Sequence, residues 1–447
     1  MIKAQVGTWH KSCRIHDVLP AYHSLHYRVH TRVLLTLAVV LLLTAVALAE
    51  PEHRVLLREA AAAQKAGDTA LFVAKLESAR KLCPDYPRGL LLLARGYSAL
   101  NRPDDAVATL HTVAAMGLTY PIELDKTFAA LHMQRQYPDL VKAFAANAVP
   151  HGTGQSAFQI PDCDGIVEGV ACDGQGNWYF SDVRNRCLWR RDAAGNLTCF
   201  SRDADALLGI FGLKVDEKRG ALWAGTSALP EMRGYIPADN DRAALVEFDL
   251  TDGRVRHSYP VPADGREHVL GDVLVGSDGT IYASDSGPPI IWRLKPGATQ
   301  LEKWLECDQC VNLQGMIESP DHRSLIFADY LSGLWRADFD SKAVEHFSPL
   351  PNQTLLGLDG LYAIPGGLIA TQSGSQPLRV VRLTLDGTGR PTSLQVLESG
   401  HPKLNDLSLG TVVGDEFYFI GNSGWALFEK PETTPARRPV TVFKTKI

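Results

Sequence analysis

Six stretches of this 447-residue chain repeat one short pattern at nearly constant spacing, and that period limits the fold more than any other feature. Gly169-Val170-Ala171-Cys172-Asp173 leads into Trp178-Tyr179-Phe180-Ser181-Asp182 and then Leu188-Trp189-Arg190. Val273-Leu274-Val275 leads into Ile281-Tyr282-Ala283-Ser284-Asp285 and then Ile291-Trp292-Arg293. Met316-Ile317-Glu318 leads into Leu325-Ile326-Phe327-Ala328-Asp329 and then Leu334-Trp335-Arg336, and related units open at Leu213, Leu361 and Leu407. The openings lie 44, 60, 43, 45 and 46 residues apart. Each unit reads as three strands separated by Gly- and Asp-rich turns, with a fourth strand reaching the next unit. Four strands per period of roughly 40–50 residues is what a β-propeller blade requires. Residues 157–435 are therefore expected to close into an all-β six-bladed propeller, with the long gap marking an insertion around Leu229 to Arg242.

The region 50–150 has another texture, rich in Ala and Leu and poor in β-branched runs. Tyr86-Pro87 recurs 34 residues later as Tyr120-Pro121, and Gly67-Asp68-Thr69-Ala70 is followed after 35 by Arg102-Pro103-Asp104-Asp105-Ala106. Paired helices at that period resemble tetratricopeptide repeats. The fold expected is multidomain: an N-terminal all-α helical repeat ahead of the propeller. The helical part reads either as a groove for a protein partner or as a packing cap on the propeller.

Val33 to Ala49 is an unbroken apolar run after a basic, His-rich leader, and it ends in Ala47-Leu48-Ala49. It reads as an export signal cleaved after Ala49, or as an uncleaved membrane anchor. Residues 1–49 are set apart on this basis, and the body is expected to be exported, periplasmic or secreted, touching a membrane only if residues 33–49 are retained. The net charge of −5 conceals a leader of +4, so the remainder stands at −9. A nucleic-acid binder relying on a broad basic surface is excluded. Of eight cysteines one lies in the leader, and the odd remainder of seven leaves at least one thiol unpaired within the chain. Cys307-Asp308-Gln309-Cys310 reads as a local structural disulfide.

The residue just before the innermost strand of each blade points toward the channel. Aligning the six units puts Glu168, Phe211, Gly271, Gln314, Asp359 and Asn405 at that position, with Asp272 beside Gly271. Two carboxylates and two amides there make a hard-oxygen environment for a divalent cation: Ca²⁺, Mg²⁺, Mn²⁺ or Zn²⁺. His268, shortly before Gly271, is a candidate to assist at the mouth, although a lone exposed histidine in a blade-connecting loop is far commoner.

Val167-Glu168-Gly169-Val170, Gln314-Gly315-Met316 and Leu358-Asp359-Gly360-Leu361, with Tyr282-Ala283-Ser284-Asp285-Ser286, resemble the regucalcin/gluconolactonase (senescence-marker-protein, luciferin-regenerating-enzyme-like) propellers over roughly residues 160–430. The resemblance implies a small-molecule substrate and one divalent metal held by Glu168, Gln314 and Asp359. It makes Asp359 also the general base and Asp272 a substrate-positioning residue; Asn405, from the ring, and His268, from its place at the mouth, complete the expected substrate-binding residues. The chain departs from the family pattern at Gln314 and at Gly271, where Asn is usual. The activity implied is hydrolysis of a lactone or small ester; a non-catalytic ligand-binding or interaction scaffold is the other reading of the same fold. No H-E-x-x-H, EF-hand, P-loop, G-x-S-x-G or dinucleotide fingerprint occurs, which removes the zincin, nucleotide-dependent and classical serine-hydrolase readings.

Overall fold

Helical propensity and capping explain the first hundred residues of the computed structural model, which describes residues 51–202, 207–428 and 436–447. The expected export signal or anchor at 33–49 lies outside the described residues. Helix α1 (Glu52–Ala66) stops at Gly67, whose φ of 77° is open to glycine at little cost, and Asp68 then caps α2 (Thr69–Leu82) by accepting from the Leu71 N–H at 2.9 Å. Helices α3 (Pro87–Ala99) and α4 (Pro103–Ala115) each open on proline, which loses no helical hydrogen bond there. The two pairs start 35 and 34 residues apart, as the sequence period requires. Phe72, Val73, Leu76, Leu90, Leu93, Tyr97, Val107 and Leu110 fill their shared core. Gly96 permits the close approach: a Cβ there would lie 2.5 Å from Val73 Cγ2.

A third pair does not form. Tight 3₁₀ turns at Ile122–Leu124 and Lys126–Met133 replace its first helix, and only α5 (Tyr137–Asn147) comes after them. Asp125 causes the break. It accepts from the Thr127 N–H at 3.0 Å and from Arg95 Nη2 at 3.0 Å, and Tyr120 donates to it at 2.5 Å, so the chain is pinned where a helix would begin.

Among the described residues the rest of the chain forms six antiparallel sheets of four strands each. The inner strands of blades 1 to 6 are Val167–Cys172, Gly209–Asp216, Leu270–Val275, Leu313–Glu318, Leu358–Ile364 and Gly410–Val413. The second-blade insertion lies between strands Ala221–Ser227 and Ala243–Asp249. Strands begin and end outside the expected 157–435. The first is Gln155–Cys163 and the last Arg438–Lys446, and these two pair with each other in blade 6. Ring closure is the physical reason: the sixth sheet completes itself with strands from both ends of the propeller.

Each inner strand of blades 1 to 5 carries a bulge near its start, after the first residue in blades 1, 3, 4 and 5 and after the second, Ile210, in blade 2. The bulge frees a backbone N–H, and in three blades a hydroxyl from the neighbouring strand takes it: Ser181 Oγ from Gly169 at 2.7 Å, Ser284 Oγ from Asp272 at 3.2 Å, Thr371 Oγ1 from Gly360 at 2.9 Å. At the adjoining strand ends Asp182, Asp285 and Asp329 bind the incoming backbone at Ile166, Val269 and Asn312. Blade 5 has Gln372 at this place, and its carbonyl accepts from Arg379 Nε at 3.0 Å and Nη2 at 2.7 Å.

Arg379 is the seat of the helical segment, which forms one unit with the propeller. It is 1% exposed, reaches the Met116 carbonyl at 2.9 Å, and among the described residues has no carboxylate as a hydrogen-bond partner; burial pushes its pKa down to about 10. Thr119 N–H donates to the Gln376 carbonyl at 2.7 Å, and Asp85 reaches the Leu355 N–H at 3.5 Å. These contacts fall on the loops of blades 4 and 5 at the end of the propeller where the inner strands begin. Truncation of Arg379 to Ala should lower the unfolding free energy by about 2–4 kcal/mol, since it leaves a cavity and unpaired carbonyls. It should also speed proteolytic cleavage of the helical segment, checked by denaturant titration and limited proteolysis.

Candidate functional site

The bulges set one residue per blade at the channel mouth: Glu168, Phe211, Gly271, Gln314 and Asp359 in blades 1 to 5, all but Gly271 with a side chain. The sixth position is Ser408, and this corrects the expected Asn405. In each well-defined junction the residue after the ring position lies against the next ring carbonyl. A Cβ on Gly169 would meet Phe211 O at 3.0 Å, one on Gly212 Gly271 O at 2.8 Å, and one on Gly315 Asp359 O at 2.6 Å. At the last junction Leu409 N–H bonds Glu168 O at 3.2 Å, and Ser408 Oγ bonds the same carbonyl at 3.0 Å. Asn405 sits three residues earlier and is exposed.

Glu168 and Asp359 share the mouth and raise one another's cost of ionisation. Burial and the Asp359 charge push the Glu168 carboxyl above its ordinary range, against hydrogen bonds from Trp425 and Ser408. Burial, together with the charges of Asp272 and Asp406, likewise pushes Asp359 upward, although Ser373 Oγ donates to its Oδ2 at 3.1 Å. No cationic side chain is among these influences. Ser373 in turn lies 3.3 Å from the Tyr330 hydroxyl, extending a line of hydroxyls from Asp359. Gln314 donates its amide N–H to Asn312 Oδ1 at 2.6 Å, which leaves its carbonyl oxygen turned toward Gly271. Three residues from different blades thus present oxygen acceptors at one mouth.

Two expected mouth residues are elsewhere engaged. Asp272 is 2% exposed; its Oδ1 accepts from the Val273 N–H at 2.8 Å and its Oδ2 has no partner, so it lies beneath the mouth rather than open to a substrate. The His268 side chain is wholly buried between Asp285 Oδ2, 2.6 Å from Nδ1, and Asp264 Oδ1, 3.0 Å from Nε2. Two carboxylates hold both ring nitrogens as donors, and Trp292 Nε1 joins the same Asp285 at 3.0 Å. His268 is a structural linchpin of blade 3. Its signal in the sequence is Asp285 itself, the strand-end acid repeated at Asp182 and Asp329.

Trp425, Asp406, Ser373 and Tyr330 at the mouth are not evident from the sequence. Trp425 stands off the blade period, in a 3₁₀ turn (Trp425–Leu427) ahead of the last strand. Its indole stacks on Phe211, with centroids 6.2 Å apart, and donates its N–H to Glu168 Oε2. Asp406 Oδ2 accepts from the Gly424 N–H at 2.7 Å and holds this turn in place.

No family model matches the chain, and no curated protein matches it. Solved structures similar to it include a gluconolactonase from Xanthomonas campestris, with a TM-score of 0.47 and 17% identity over 68% of this chain and 93% of that one. A calcium-binding regucalcin from Agrobacterium tumefaciens gives 0.45 and 14%, over 65% and 94%. A virginiamycin B lyase from Staphylococcus aureus gives 0.42 and 14%, over 66% and 99%. Gluconolactonase and regucalcin propellers are thus among its structural neighbours.

The described residues contain no group of three or more His, Cys, Asp or Glu side chains placed to hold a metal ion. The mouth instead offers two carboxylates and one amide oxygen. In kind these donors fit a hard cation: among the described residues no cationic side chain is among the groups that shift the two crowded acids, and Lys214 acts on Asp272 beneath them.

Burial opposes charge on His268, but its bonds to Asp285 and Asp264 outweigh that and raise its pKa. The stabilisation is therefore complete below the ordinary histidine value of about 6.5 and is lost as pH rises through the higher folded-state value. Thermal melts across that interval should show a falling midpoint in the parent chain, and the His268→Gln variant should lose that part of the slope.

Proposed function

We propose that the mouth hydrolyses a lactone or small ester with the aid of a divalent cation held by Glu168, Asp359 and Gln314. The observation that carries this reading is the pair of carboxyls crowded at one mouth with no cationic side chain among the groups that govern them. A bound cation would supply polarisation of an ester carbonyl and of a water molecule. Asp359, its pKa raised toward neutrality by burial, is suited to take a proton from the attacking water. Ser373 fixes the carboxylate through Oδ2, and the Tyr330 hydroxyl continues the line by which that proton leaves. Gly271 has no side chain to fill the space that the Gln314 carbonyl faces, so a flat carbonyl group can enter there.

Export of the protein belongs to the same proposal. Its support is the apolar run at 33–49 together with the disulfides Cys187–Cys199 and Cys307–Cys310. Cys83, Cys163 and Cys172 remain as thiols.

Metal analysis and a screen of lactones and small esters test the site. The parent should bind a divalent cation and turn over a substrate, and Glu168→Gln and Asp359→Asn should each lower kcat/KM by at least about 100-fold. Turnover that survives both substitutions would refute the assignment. Cation affinity should strengthen as pH rises, because both carboxyls bind protons more readily than usual and must release them to bind metal; calorimetric titrations at several pH values measure this.

A further inference from the structure

A single side chain, Trp425, touches the ring residues of both blade 1 and blade 2. Phe211, the apolar member of the ring, is only 4% exposed, packed among Ile166, Val183 and Phe428 with Trp425 stacked on it, and the same indole meets Glu168. The Trp425 turn is anchored at both ends. Ahead of it, Gly424 takes a φ of 108° that glycine alone adopts readily, and its N–H is held by Asp406. Behind it, Phe428 is 1% exposed in a cluster with Ile166, Val183 and Phe211, and the Arg184 guanidinium lies 4.4 Å over its ring. A tryptophan so fixed aims its only donor at one oxygen, Glu168 Oε2. The other side chain that eases the charge on this carboxyl is Ser408, whose hydroxyl is already engaged by the Glu168 main-chain carbonyl.

We propose that Trp425 is the positioning residue of the mouth: its indole N–H pins Glu168 Oε2 and so leaves Oε1 to serve a bound cation. The inference rests on the metal-site reading above and adds a residue that the blade period does not predict. A carboxylate with both oxygens free rotates and must be ordered when it binds, whereas one held by a fixed donor is ordered beforehand; outer partners of this kind are worth about 10–100-fold in metal affinity. The N–H carries the effect and the ring supplies only the stacking on Phe211, which separates positioning from packing.

Terbium(III) is a suitable probe, being a hard, oxygen-seeking cation whose emission is sensitised by a nearby indole. Its affinity is measured by calorimetry, so that the readout does not depend on Trp425, and sensitised emission is recorded alongside. Trp425→Phe should weaken terbium binding by about 10-fold or more and remove most of the sensitised emission. Trp425→Gly should lose affinity similarly. Added indole should restore it, while 1-methylindole, the same ring without the N–H, should not. Equal affinity in the Trp425→Phe variant and the parent, or equal rescue by the two indoles, would overturn the inference. Should Trp425→Gly not fold, the Phe variant decides alone. A parent chain that binds no terbium defeats the metal reading and this inference together, and does so before any variant is compared.

Discussion

Everything at the mouth depends on one pairing, that of Gln155–Cys163 with Arg438–Lys446. A ring of blades has no free edge only when its first and last members meet, and here the meeting is made inside the sixth sheet by backbone hydrogen bonds between strands nearly 300 residues apart. The junction of blade 6 with blade 1, where Ser408 and Leu409 bond the Glu168 carbonyl, is held in register by that pairing. Glu168, Asp359 and Gln314 come from three blades, so their convergence is a property of the closed ring and of no single blade. Closure over such separation is entropically slow and favours no local nucleus.

The periodic part of this organisation is legible in the chain. The frame of a large apolar residue, the ring residue, glycine and another apolar residue stands plainly in Val167-Glu168-Gly169-Val170 and Leu358-Asp359-Gly360-Leu361; it locates four of the six ring positions, and blade 3, with Asp272 in place of the glycine, still aligns as a fifth. Blade 6 departs from it, with Leu409 where glycine is usual, so alignment on the pattern lands on Asn405. What identifies Ser408 is contact across the junction, which no local pattern encodes. The helical period is equally plain until Asp125, where a tertiary cluster with Arg95 and Tyr120 overrides it.

Residues that act through another residue are the ones the chain conceals. His268 reads as a solitary histidine near a mouth because its partners, Asp264 and Asp285, are separated from it by 4 and 17 residues and come together only in the folded blade. Trp425 lies 257 residues from Glu168 and off the blade period. Asp272 reads as a mouth residue because it comes directly after a ring position, yet the bulge turns its carboxyl inward. In each case the residue type is visible in the sequence and its direction is not.

The seat under the helical segment has a consequence for how that segment can change. Arg379 recognises a main-chain carbonyl, that of Met116, and Gln376 receives a main-chain N–H, that of Thr119. Main-chain atoms are the same whatever side chains the helices carry. The propeller therefore grips its neighbour at these points by shape and backbone, leaving the outward helical surface free to diverge while the attachment beneath it stays the same.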